Sequence, residues 1–176
     1  MSIFRVFLMV FMGLFAVNPA LASGAGPFGL EVGGSTRAEV ERQFRGAESA
    51  GINRWSEGPM VSVPGSSLPL DGALSALFIF NPDDTLEAVI ITLRKQRFEA
   101  IRGLLNELYR PVSARVPFVG DRLVTWEADG ILIELDSPHL SFEMDLRYLA
   151  QGFLRRYREQ HALEQQQQRQ QQAGQL

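Results

Sequence analysis

The sequence predicts an α+β protein in which tandem helix-plus-antiparallel-hairpin units form a mostly antiparallel sheet, with helices packed on one face and a further helix at the C-terminus. Three observations carry that expectation. Between Thr85 and Tyr109 the apolar period changes from two to 3.6 within a few residues, so a strand passes straight into a helix. The same change recurs at Tyr148-Leu149. Each change is preceded by two alternating apolar runs joined by turn residues, 76–80 into 86–93 and 131–135 into 140–148, which is the pattern of a hairpin.

In chain order, residues 1–22 read as a secretory signal peptide: Arg5 gives the positive start, Val6 to Val17 is almost wholly apolar, and Ala20-Leu21-Ala22 is a small-x-small cleavage site. Cleavage after Ala22 makes the protein periplasmic or secreted. The apolar run is shorter than the ~20 residues a spanning helix needs, so no stable membrane anchor is expected after cleavage. There is no cysteine, which leaves stability to a packed core. Loss of Arg5 with the signal takes the formal charge from −3 to −4, and this mildly acidic balance gives no electrostatic case for nucleic acid or an anionic membrane as partner.

Residues 23–164 are expected to form one α+β domain, with pseudo-repeat halves at about 28–95 and 96–148 followed by a helix over 149–164. After a Gly-rich start, Thr36 and Glu39 have the spacing of a capping box, so a short helix should cover Arg37 to Arg45 with Val40 and Phe44 on its inner face. Residues 47–71 are rich in Gly, Ser and Pro and carry one edge or irregular strand, Met60 to Val63. Ala73 to Phe80 and Leu86 to Leu93 form a hairpin through Asn81-Pro82-Asp83-Asp84, residues suited to a tight reversal. Phe98, Ile101, Leu104, Leu105 and Leu108 then mark one face of a helix that ends before Pro111. Four strands follow, at Val112 to Phe118, Arg122 to Trp126, Ile131 to Leu135 and Leu140 to Tyr148, with Asp129-Gly130 as a hairpin turn. In the last of them Leu140, Phe142, Met144, Leu146 and Tyr148 should share the buried face. Residues 165–176 are a Gln-rich low-complexity tail with no apolar face to bury, either a fraying helix or disordered.

Each residue group with chemical potential has a plainer structural reading. The glycines before Thr36 lack a complete phosphate motif and serve as a flexible lead into the helix. Asn81, Asp83, Thr85 and Glu87 alternate like calcium ligands but lack the Gly and distal Glu of an EF-hand loop. Arg97, Arg102 and Arg110 fit a solvated helix face as well as an anion site. Asp136, Ser137 and His139 are of triad types but crowded into one turn, where capping is the simpler role. His161 should face solvent. Glu127, Asp129, Glu134 and Asp136 lie close enough for a carboxylate pair, or simply on the wet face of a strand. Trp55 and Trp126 are core anchors or, if exposed, sugar-stacking platforms. No catalytic, cofactor-binding or metal-ligating residue is assigned.

A signal peptide, the opening Gly29-Leu30-Glu31-Val32-Gly33-Gly34-Ser35, a helix and then hairpins, in tandem, resemble the small periplasmic proteins of the beta-lactamase-inhibitor-like fold. One such unit is similar to the SmpA/OmlA (BamE) outer-membrane assembly lipoproteins, although this chain has no lipobox cysteine. The resemblance covers most of residues 28–148. It implies a non-catalytic protein that binds another envelope protein through an exposed sheet face or loops. The alternatives are a glycan- or small-molecule-binding module built on a sheet face and, more distantly, a carboxylate-dependent envelope hydrolase.

Overall fold

A computed structural model describes residues 24–173, so the signal-peptide segment lies outside the described residues. The order is α1 (Arg37–Gln43), β1 (Glu48–Ile52), β2 (Pro59–Pro64), β3 (Ala73–Phe80), β4 (Leu86–Arg94), α2 (Phe98–Leu108), β5 (Pro111–Arg115), β6 (Arg122–Ala128), β7 (Ile131–Ser137), β8 (Glu143–Ala150) and α3 (Gln151–Ala173). All eight strands belong to one antiparallel sheet, ordered β1-β2-β3-β4-β8-β7-β6-β5. The protein is therefore α+β, as its periodicity predicts. Each helix of the first two is followed by a four-stranded meander, and the meanders meet along β4 and β8, where Val89, Ile91 and Leu93 oppose Tyr148, Leu146 and Met144. Two strands thus precede each hairpin, where the sequence marked one in the first half.

Alternation along the strands divides the apolar residues between two clusters. Ala76, Phe78 and Phe80 of β3 and Val89, Ile91 and Leu93 of β4 join Val40 of α1, Phe44 at its C-terminal cap, and Phe98, Ile101 and Leu105 of α2 in the main core. Ile79 of β3 and Ala88 of β4 point the other way and join Leu149 with Phe153 and Leu154 of α3. Both faces of the sheet centre are therefore covered in part, the second by the C-terminal helix. Trp55 extends that contact through Tyr157, their rings edge-to-face at 5.1 Å, and Arg54 reaches Glu164 with two hydrogen bonds of 2.9 Å.

Local chemistry explains most boundaries. The Thr36 backbone N–H donates to Glu39 Oε2 at 2.8 Å, starting α1 as the spacing predicts. Asn81 Oδ1 accepts from the Thr85 N–H at 2.8 Å and closes the β3–β4 turn. Asp129 and Gly130 both have positive φ, 52° and 74°, the backbone of a two-residue hairpin turn.

Several expectations are corrected. The segment 47–71 contains β1 and β2; β1, with the sequence ESAGI, has no apolar alternation to reveal it, because it is an edge strand exposed on both sides. β5 stops at Arg115 and leaves Phe118 outside the sheet. Leu140 and Phe142 are not on the buried face: β8 begins only at Glu143, opposite Arg94, where β4 ends and no partner strand remains. Leu149 and Ala150 still belong to β8, so α3 starts at Gln151, and it continues through the Gln-rich tract to Ala173.

Candidate functional site

The sequence places a wide apolar stripe on α2, and the sheet can cover only part of it. Phe98, Ile101 and Leu105 are buried, whereas Leu104 and Leu108, four residues apart, are 52% and 71% exposed. They form the rim of a groove of about 230 Å³. Its floor is Ile91 of β4 with Leu146 and Tyr148 of β8, so it lies on the seam between the two meanders. The facing wall is Gly26, Pro27 and Phe28 of the leading segment with Pro69 and Leu70 of the β2–β3 connection. Gly26 is required in that wall, because a Cβ there would collide with the Leu30 carbonyl.

The leading segment is held by backbone pairing with β4: the Gly33 N–H donates to the Leu86 carbonyl at 2.7 Å and the Leu86 N–H to the Ser35 carbonyl at 2.8 Å. The wall is built into the fold. Among the described residues, the phenols lining the groove are those of Tyr109 and Tyr148. Burial pushes both above the ordinary tyrosine value, helped by Asp129 at Tyr109 and by Tyr109 at Tyr148, so both stay protonated at neutral pH. The cavity is smaller than the ~300–1,000 Å³ of a typical small-molecule site, and its open rim suits one or two apolar side chains from another molecule.

The residue groups weighed from the sequence are separated by the fold. Glu134, Asp136 and Asp145 converge on Arg147, at 3.8, 3.1 and 2.8 Å. Burial works to lower the Arg147 pKa, but the Asp145 hydrogen bond and the three carboxylates outweigh it and raise it. This acidic group is thus an ion-pair network around one guanidinium, while Glu127 and Asp129 are exposed elsewhere. Asp136 bonds Arg147, Ser137 is fully buried beside Arg122, and His139 is in an exposed turn, so the three triad-type side chains have separate partners or surroundings. Of the calcium-type residues, Asn81 caps its own turn and Glu87 pairs with Arg156. Among the described residues no group of His, Asp and Glu is placed to hold a metal ion.

Arg97 pairs with Asp71 at 3.4 Å and Arg102 with Glu99 at 2.7 Å, so these two arginines do not converge on one anion site. Trp126 is fully buried and donates from Nε1 to Asn106 Oδ1 at 3.0 Å. Trp55 is half-buried between Tyr157 and Arg54, whose guanidinium lies 4.7 Å from its ring centre. Neither tryptophan is an open stacking platform. The side chain of His161 lies outside the described residues.

The groove was not singled out by the sequence, although one signal for it was present. A stripe containing Leu104 and Leu108 as well as Phe98, Ile101 and Leu105 is wider than a helix lying on a sheet can bury. Pro27, Leu70 and Tyr109 carry no motif and join the groove only through tertiary packing. Comparison with known protein families, curated proteins and solved structures gave no match. Among the described residues no helix is long and apolar enough to cross a membrane.

Proposed function

We propose that this is an exported, non-catalytic protein that binds another envelope protein, and that the groove beside α2 receives apolar side chains of that partner. The carrying observation is the exposed pair Leu104 and Leu108 above an apolar floor. Fully burying a leucine side chain is worth about 1.5–3 kcal/mol, so two rim leucines and the floor can supply the centre of an interface. Packing of α1 and α2 on one face frames the groove in this reading. Export rests on the signal-like residues 1–22, and the resemblance to the small periplasmic proteins of the beta-lactamase-inhibitor-like fold points the same way.

The test is affinity capture from envelope extract with the chain starting at Ser23, its Leu104→Arg/Leu108→Arg variant, and a form lacking residues 165–176. A discrete partner should be retained by the parent and by the truncated form and lost from the double variant. Retention by the double variant, or recovery of no partner, contradicts the reading. Loss only on truncation would transfer the role to the end of α3.

A further inference from the structure

Four large apolar side chains stand clear of the protein at one end of the sheet. Phe118 and Val119 in the β5–β6 loop are 104% and 67% exposed, and Leu140 and Phe142 before β8 are 92% and 94% exposed. Side chains this exposed touch almost nothing of their own fold, and four together are uncommon on a monomeric protein. The loops carrying them are nonetheless tied to one another. Asp121 Oδ1 accepts from the His139 backbone N–H at 2.7 Å, Lys95 Nζ donates to the carbonyls of Pro138 and His139, and the Lys95 backbone N–H donates to the Phe142 carbonyl at 2.9 Å. Lys95 and Arg122 line both the hollow beside Phe118 and the hollow beside Phe142.

The charge beneath these prongs is mixed but leans cationic at the rim. Arg94, Lys95 and Arg122 line the hollow beside Phe142 without an acidic side chain. Glu99, which lines the hollow beside Phe118, is already engaged by Arg102 and Arg122 at 2.7 and 3.6 Å. Asp121 and Glu143 are the remaining nearby acids, and Asp121 holds the His139 N–H. A protein partner would need pockets matched to four separate prongs. A lipid interface needs none, because acyl chains flow around each side chain while the cations lining the hollow beside Phe142 meet headgroup phosphates.

We infer that this loop end inserts Phe118, Val119, Leu140 and Phe142 into the interface of an anionic phospholipid bilayer, with Arg94 and Lys95 at headgroup level. The contact is peripheral and reversible, and it uses residues separate from the α2 groove. Local arrangement, not the chain's net acidity, governs it.

Sedimentation with phosphatidylcholine vesicles, with and without phosphatidylserine, tests it on the chain starting at Ser23, so that the apolar residues 6–17 do not contribute. The parent should sediment with the phosphatidylserine vesicles, more weakly with pure phosphatidylcholine, and less as salt is raised. Phe118→Ser/Phe142→Ser should lower partitioning at least about tenfold. Both side chains are exposed, so an unchanged melting temperature is expected and excludes misfolding as the cause. Leu104→Arg/Leu108→Arg should sediment like the parent, which separates this result from the fate of the groove. No sedimentation of the parent, or sedimentation untouched by the serine substitutions, overturns the inference. So does loss of a captured protein from the serine variant when the parent ignores vesicles, since the loops would then dock a protein.

Discussion

Tyr148 has its phenol buried on the floor of the groove, and burial, with Tyr109 nearby, raises its pKa above the ordinary value of 10.0. The folded state therefore favours the neutral phenol. Its contribution to stability is fully present below the unfolded value and is lost as pH rises beyond it. Denaturation midpoints should fall steeply above pH ~10, and Tyr148→Phe should flatten that fall. Equal alkaline loss in parent and variant would show that the phenol is not buried as described. Arg147 differs, because its raised pKa keeps it charged throughout the ordinary range; its work is to neutralise Glu134, Asp136 and Asp145. The sequence placed Glu134 and Asp136 on one strand face correctly. Their partner is on another strand, opposite Glu134 in register, and no local pattern states that pairing.

At the scale of the element, α2 is where periodicity and packing can be compared most directly. Leu105 is buried against the sheet and Leu104, its neighbour in sequence, is half-exposed. Leu105→Ala should cost about 2–5 kcal/mol in urea unfolding, whereas Leu104→Ala should stay within about 1 kcal/mol. Comparable losses at both positions would mean that the helix sits rotated from the arrangement described. Its existence and limits were legible because five apolar residues recur at helical spacing before Pro111; which of the five are covered was not, since that depends on how much sheet lies beneath. The strands divide in the same way. β3, β4, β7 and most of β8 have alternating apolar residues and were readable. β1 was not, because ESAGI buries nothing, and both edge strands, β1 and β5, interrupt their pairing with a register shift that limits edge-to-edge association. Leu140 and Phe142 misled for the opposite reason: they continue the alternation of β8 past the end of its partner.

For the molecule as a whole, the period switch within Thr85–Tyr109 marks where the first meander hands over to α2, and the one at Tyr148-Leu149 falls just before β8 gives way to α3 at Gln151. The pairing of β4 with β8 then joins the last strands of the two meanders at the sheet centre. That junction creates the floor of the groove, and α2 and the leading segment supply its walls. A site made from Pro27, Leu70, Ile91, Leu108 and Tyr148 draws on five distant stretches of sequence, which is why composition and motifs could not point to it. The docking of a partner protein in this groove, as proposed above, can be tested at a single position. Its most direct test is a photo-crosslinking amino acid placed at Leu108, with Asp83 in the β3–β4 turn as the control position. Docking in the groove predicts one discrete envelope-protein adduct from position 108, none from position 83, and loss of the adduct when Leu104 is replaced by Arg. No adduct at 108, or equal adducts at both positions, would contradict it.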